Sequence, residues 1–153
     1  MERICKQIVK RLKEQSKEIA FMESCTGGFL ANEITNISGA SDVLKVSLVT
    51  YSTEYKIKFN VDREVINECT VYSSETAEEM AKIVAQFAKS NIGIGVTGEM
   101  GNTTNKKPKV YYAIYLADNK ETINKTIDVE GTKRIDMKKY VAEVIFKDLL
   151  EKI

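Results

Sequence analysis

The chain contains no histidine, so any nucleophilic or acid–base chemistry it performs must draw its base from Lys, Tyr, Asp or Glu. Cysteine is scarce too: Cys5, Cys25 and Cys69 are odd in number and lack the paired spacing of metal sites or of a disulfide framework. Without an imidazole to complete a ligand set, that argues against a structural zinc. No apolar run approaches the ~18 residues of a membrane span, and the start, MERICKQIVKRLKEQSK, is a charged amphipathic pattern rather than a signal peptide. Charge of one sign is also lacking. The formal net charge of +1, with acidic and basic residues interspersed, supplies no broad positive field for a nucleic-acid backbone. A cytoplasmic protein that binds neither nucleic acid nor membrane is therefore expected. What is present suits one globular domain over residues 1–153, with 43% hydrophobic and 29% charged content and length enough for a continuous core.

Along the chain, helical and strand periods alternate. Ile4, Ile8 and Leu12, with Cys5 and Val9 beside them, predict a surface helix over residues 2 to 17. Ile19 to Met22 reads as a short buried strand, and Phe29, Leu30 and Ile34 predict a helix opening at Gly27 or Gly28 and stopping near Gly39. Val43 to Tyr51 has strand character and runs into a polar, basic loop or short helix. A short helix is expected over residues 62 to 68, then a longer one capped by Ser73 or Ser74, with Glu75, Glu78 and Glu79 early in it. Ile92 to Gly98 is a buried strand whose glycines permit close backbone approach. The polar stretch from Glu99 to Lys109 holds the only proline, Pro108, and reads as a loop. Val110 to Ala117 and Thr122 to Val129 form a hairpin signal around Asp118 to Glu121, and Val141, Val144, Ile145 and Leu149 place a helix at the carboxyl end. The order predicts a three-layer α/β/α sandwich with a mixed, mainly parallel sheet.

Three apolar runs end in hydroxyl-rich turns, at Ser24, Tyr51 and Thr97, and in parallel neighbouring strands these ends would share one crevice. Ser24 reads either as a helix N-cap or as a nucleophile beside free N–H groups of a helical first turn. The glycines at 27 and 28, poor helix formers, favour a backbone that a ligand must approach. Cys25 is a rival nucleophile or a small buried hydrophobe turned away from Ser24. A serine without histidine needs another base, and a lysine with a lowered pKa is the usual substitute. Lys56, within the cluster Tyr51-Ser52-Thr53-Glu54-Tyr55, and Lys58 compete for that role or are solvated loop residues. Tyr51 can relay a proton or cover the core. Thr97-Gly98-Glu99-Met100-Gly101 is a glycine turn closing a strand.

Taken together, ESCTGGFLA at 23 to 31, VTYSTEYK at 49 to 56, SSETAEEMA at 73 to 81 and IGIGVTGEMG at 92 to 101 resemble the CinA carboxyl-terminal domain family. Order and spacing match over nearly the whole chain. The family includes nicotinamide-nucleotide amidohydrolases, which convert nicotinamide mononucleotide to nicotinic acid mononucleotide and ammonia. The resemblance implies that Ser24 is the nucleophile, Lys56 the general base and Tyr51 an assisting residue. It implies that Thr26, Gly27, Gly28, Thr97 and Gly98 line the substrate pocket, that no metal or organic cofactor takes part, and that the chain is a homodimer. Backbone N–H groups around Thr26 to Gly28 would hold the oxyanion. The sequence departs from the family where Gly101 is followed by Asn102 and the next run reads Lys107-Pro108-Lys109-Val110-Tyr111, and where Gly131-Thr132-Lys133-Arg134 precedes the last helix. The changed loop leaves two alternatives to nicotinamide mononucleotide hydrolysis: a nucleotide-binding or regulatory module without turnover, or hydrolysis of another small amide. Some members carry an additional amino-terminal pyrophosphatase-type domain. Because this chain begins at the amidase-like helix, that second activity is expected to be absent.

Overall fold

The apolar residues of Ile19–Glu23 alternate between two cores, and that alternation organises the molecule. Ile19 and Phe21 join a large cluster, whereas Ala20 and Met22 join a second one on the opposite side of the sheet. The computed structural model describes residues 1–101, 107–129, 131 and 133–153. Asn102 and the rest of 102–106, together with 130 and Thr132, lie outside the described residues, so the changed loop is seen only at its ends.

In chain order the elements are α1 (Glu2–Glu14), β1 (Ile19–Glu23), α2 (Phe29–Thr35), β2 (Leu44–Val49), α3 (Thr53–Lys58), α4 (Arg63–Cys69), α5 (Ser74–Ala88), β3 (Ile92–Gly98), β4 (Lys109–Leu116), β5 (Glu121–Asp128) and α6 (Arg134–Lys152), with a 3-10 turn at Ala40–Asp42. The sheet order is β2-β1-β3-β4-β5. Strand β1 runs parallel to both β2 and β3, and the β4–β5 hairpin is added antiparallel. The predicted mixed sandwich is the observed one, its parallel part confined to β2-β1-β3.

One face carries α1, α2 and α6. Cys5, Ile8, Val9 and Leu12 of α1 and Val141, Ile145 and Leu149 of α6 bury into the large cluster with Ile92, Ile94 and Val96 of β3. The other face carries α5, which approaches β3 so closely that only glycine fits beneath it. A Cβ on Gly93 would stand 2.0 Å from the Ala81 carbonyl oxygen, and one on Gly95 2.2 Å from that of Ala77. Both glycines and the facing alanines therefore bring a helix backbone onto a strand. Ser73 caps α5 by accepting the Thr76 N–H at 3.1 Å.

Helix α2 departs from expectation. It opens at Phe29 behind Gly28, which is left-handed at φ 89°, as is Gly27 at φ 62°. Two successive positive φ values cannot belong to a helix, so residues 24–28 form turns and Ser24 is not the N-cap.

Candidate active site

Pairing of Glu23 with both Val49 and Val96 brings the carboxyl ends of β1, β2 and β3 level with one another. The chain segments leaving those ends, at Ser24, Thr50–Tyr51 and Gly98, consequently meet at one edge of the sheet. Beyond Tyr51, Ser52 caps the short helix α3 by accepting the Tyr55 N–H at 3.3 Å. That helix aims Lys56 inward.

Lys56 is only 2% exposed. Its Nζ lies 2.9 Å from Ser24 Oγ, 2.8 Å from the Thr50 carbonyl oxygen and 3.5 Å from the Tyr51 carbonyl oxygen. Burial holds its pKa below the ordinary lysine value, opposed in part by the neighbouring Cys25. In the neutral form the amine has two N–H donors for the two carbonyls and one lone pair facing the Ser24 hydroxyl. Lys58, by contrast, reaches out to Glu54 at 2.7 Å and lies over the Tyr55 ring. It is turned away from the cavity into an exposed ion pair.

The pair opens into a cavity of about 450 Å³, within the size range of small-molecule sites. Tyr51, Tyr72, Gly98, Glu99 and Arg134 contribute to its wall. Cys25 also touches the cavity although it packs in the large apolar cluster, so it is not turned wholly away from Ser24. Burial pushes its thiol up to about 12.

A family model, CinA C-terminal domain, matches residues 1–153. The chain belongs to this family. A CinA-like protein of Endomicrobium trichonymphae is 38% identical over 144 residues, covering 92% of this chain and 33% of that protein. The CinA-like protein of Kosmotoga olearia is 36% identical over 131 residues, covering 82% of this chain and 31% of that one. The chain thus spans about a third of the length of the curated relatives it matches. Among solved structures, the competence or damage-inducible protein from Enterobacter asburiae superposes with a TM-score of 0.90 at 25% identity, covering 99% of this chain and 96% of that one. The competence/damage inducible protein CihA from Agrobacterium tumefaciens, at 24% identity, has the same fold with a TM-score of 0.90, over 98% of this chain and 93% of that one.

Within this CinA-family site the expected residues are distributed unevenly. Ser24 and Lys56 are in contact, and Gly98 lines the cavity. Tyr51 contributes its backbone carbonyl to Lys56 while its ring stays 63% exposed at the cavity wall. Thr26, Gly27, Gly28 and Thr97 are not among the lining residues. Thr97 is buried and its hydroxyl donates to the Val71 carbonyl at 2.7 Å, which removes it from the wall. Gly27 faces α6, where an added Cβ would stand 3.1 Å from Lys138 Nζ, and Gly28 faces the Val49 side chain. Thr26 is buried with its hydroxyl unpartnered among the described residues.

Sequence reasoning gave Glu23 no role, yet it is fully buried beside the pair. Its carboxylate accepts the N–H groups of Leu30 and Ala31 at 3.1 and 3.0 Å and the Ser47 hydroxyl at 3.3 Å. The first-turn donors of α2 are therefore taken. Gly27 N–H is also used, donating to the Ser24 carbonyl at 3.0 Å, and Phe29 N–H donates to that of Thr26 at 3.3 Å. Among the described residues the N–H groups of Cys25, Thr26 and Gly28 donate to no backbone carbonyl, and those of Cys25 and Thr26 lie toward the Cys25 sulfur. The one available signal for Glu23 was an acid ending an otherwise apolar strand a few residues before a helix.

Proposed function

We propose that this domain is a serine amidohydrolase that converts nicotinamide mononucleotide to nicotinic acid mononucleotide and ammonia. The observation carrying the proposal is a buried amine 2.9 Å from a serine hydroxyl, with burial favouring the uncharged amine. A nucleophile and base in hydrogen-bond reach are what covalent acyl transfer requires. The family resemblance supplies the substrate.

In the proposed sequence, Ser24 Oγ attacks the carboxamide carbon as Lys56 Nζ takes the hydroxyl proton. The oxyanion is held by turn N–H groups, with those of Cys25 and Thr26, which donate to no backbone carbonyl, the candidates beside Ser24. Lys56 then protonates the departing nitrogen, ammonia leaves, and an acyl-Ser24 ester remains. Water attacks that ester, its proton passing to Lys56 and then to Ser24, which releases the acid. Tyr51 assists by fixing one Lys56 N–H through its carbonyl and by walling the cavity with its ring. Arg134 has no carboxylate partner among the described residues, and its guanidinium in the wall suits the substrate phosphate.

The test is release of ammonia and nicotinic acid mononucleotide by the purified protein, with Ser24→Ala and Lys56→Ala as controls. Activity abolished by either substitution supports the reading. An inactive wild type, or full activity in both variants, sinks it.

A further inference from the structure

The segment joining α4 to α5 has an unusual backbone. Thr70, a β-branched residue, stands at φ 71° and ψ 167°, a region left almost entirely to glycine. Hydrogen bonds fix it from several sides. Thr70 N–H donates to the Ile66 carbonyl at 2.9 Å, and its own carbonyl accepts the hydroxyls of Ser73 at 3.0 Å and Thr76 at 2.7 Å. Its hydroxyl accepts the Tyr72 N–H at 3.2 Å. The next carbonyl, that of Val71, accepts the Thr97 hydroxyl from the end of β3 at 2.7 Å. Strain survives only where the surroundings over-determine it, and it gathers where a ligand must be gripped.

The turn separates two neighbours. Val71 packs against the apolar cluster that contains Met22, Val61, Ile66 and Met80. Tyr72 belongs to no apolar cluster, and its ring is 47% exposed. Among the described residues neither that ring nor its hydroxyl has a partner, yet the side chain lines the cavity that holds Ser24 and Lys56. A core-covering or capping role therefore accounts for none of it. An aromatic ring whose backbone is pinned beforehand loses little freedom when another ring stacks on it.

We infer that Tyr72 is a specificity-determining residue, its ring face being the surface on which a planar ring bearing the carboxamide lies while the amide carbon meets Ser24 Oγ. The inference rests on the amidohydrolase reading for the position of the amide, but its test is separate.

Calorimetric titration compares nicotinic acid mononucleotide, which has an aromatic ring, with ribose 5-phosphate, which has no aromatic ring. Tyr72→Leu should weaken the ring-bearing probe about three- to tenfold, the range expected of an aromatic pair, and leave ribose 5-phosphate unchanged. Tyr72→Phe, keeping the ring, should bind both as the wild type does. Thr70→Gly, which releases the turn but keeps Tyr72, should show the same ring-selective loss to a smaller extent. Equal weakening of both probes by Tyr72→Leu, an unchanged titration in that variant, or no binding of the ring-bearing probe by the wild type overturns the inference. Unaltered ring selectivity in Thr70→Gly overturns the part assigned to the strained turn. Ring-selective loss in a protein that releases no ammonia leaves Tyr72 in place and removes the amidohydrolase reading instead.

Discussion

Removing the Lys56 amine should abolish nearly all amide hydrolysis, and removing Ser24 as well should cost nothing further. Lys56 Nζ is 2.9 Å from Ser24 Oγ, and the carbonyls of Thr50 and Tyr51 lie at 2.8 and 3.5 Å. Those carbonyls orient the amine, so Lys56→Met deletes a directed lone pair while keeping a chain of similar bulk. General-base catalysis contributes about 10²–10⁴-fold, which at 1.36 kcal/mol per decade is about 3–5 kcal/mol of transition-state stabilisation. Ser24→Ala removes the oxygen that forms the acyl bond and should fall at least as far. Were the two groups independent, the double variant would lose the product of both factors. Groups acting as one unit show no such product, so the double variant should match the worse single one. The assay is ammonia release from nicotinamide mononucleotide, giving kcat/KM for the wild type, both single variants and the double variant, with circular dichroism as the fold control. Lys56→Met retaining more than a tenth of the wild-type value, or a double variant losing the full product, would refute the reasoning.

Because burial lowers the Lys56 pKa, kcat/KM should rise with pH along a limb centred below the titration of an ordinary lysine, and Lys56→Arg, which cannot shed its proton, should show no such limb. The same shift means that the unfolded chain binds more protons between the folded and the ordinary lysine pKa, so stability should climb with pH across that window relative to Lys56→Met; a flat difference in urea midpoints would contradict it. Glu23→Gln turns an amide donor toward groups that already donate, those of Leu30, Ala31 and Ser47, and should cost about 2–3 kcal/mol or roughly 5–10 °C in Tm by thermal melting. In Gly95→Ala the new methyl would meet the Ala77 carbonyl oxygen at 2.2 Å and the Ala81 nitrogen at 2.6 Å, forcing α5 off the sheet; a loss near 3 kcal/mol in urea unfolding is expected, about the upper end of overpacking costs.

The sequence made the sheet and the meeting of its strand ends legible, because three apolar runs closing in hydroxyl-rich turns can share a crevice only if they are parallel neighbours. It could not separate Lys56 from Lys58. Two positions apart on a helix, they point roughly 200° from each other at about 100° per residue, and only packing decides which one faces in. The decision is visible in a 2% exposed Lys56 against a Lys58 held by Glu54. The family resemblance implies that Gly27 and Gly28 line the pocket; here their positive φ values serve the turn that precedes α2, and neither is among the lining residues. Glu23 and the Thr70 turn were hidden for a different reason. Ser47, one of the Glu23 partners, and Thr97, which donates to the carbonyl after Thr70, are more than twenty residues away in the chain, and only the Leu30 and Ala31 N–H groups lie near enough to Glu23 for a local pattern to record.

Glu23 also bears on where the proposed chemistry can hold negative charge. An N-terminal helical turn usually attracts an anion, but the Leu30 and Ala31 N–H groups of α2 already bind a buried carboxylate. With those N–H groups taken, the backbone donors left beside Ser24 for the proposed oxyanion are those of Cys25 and Thr26, which lie toward the Cys25 sulfur. That choice makes the state of Cys25 consequential. A thiolate at this point would repel the oxyanion and, by attracting the Lys56 proton, would hold the base in its charged form. Burial opposes both by raising the thiol to about 12. Under the proposed mechanism a protonated Cys25 leaves Ser24 as the nucleophile, and a substitution that opened Cys25 to water would be expected to slow amide hydrolysis even with Ser24 and Lys56 in place.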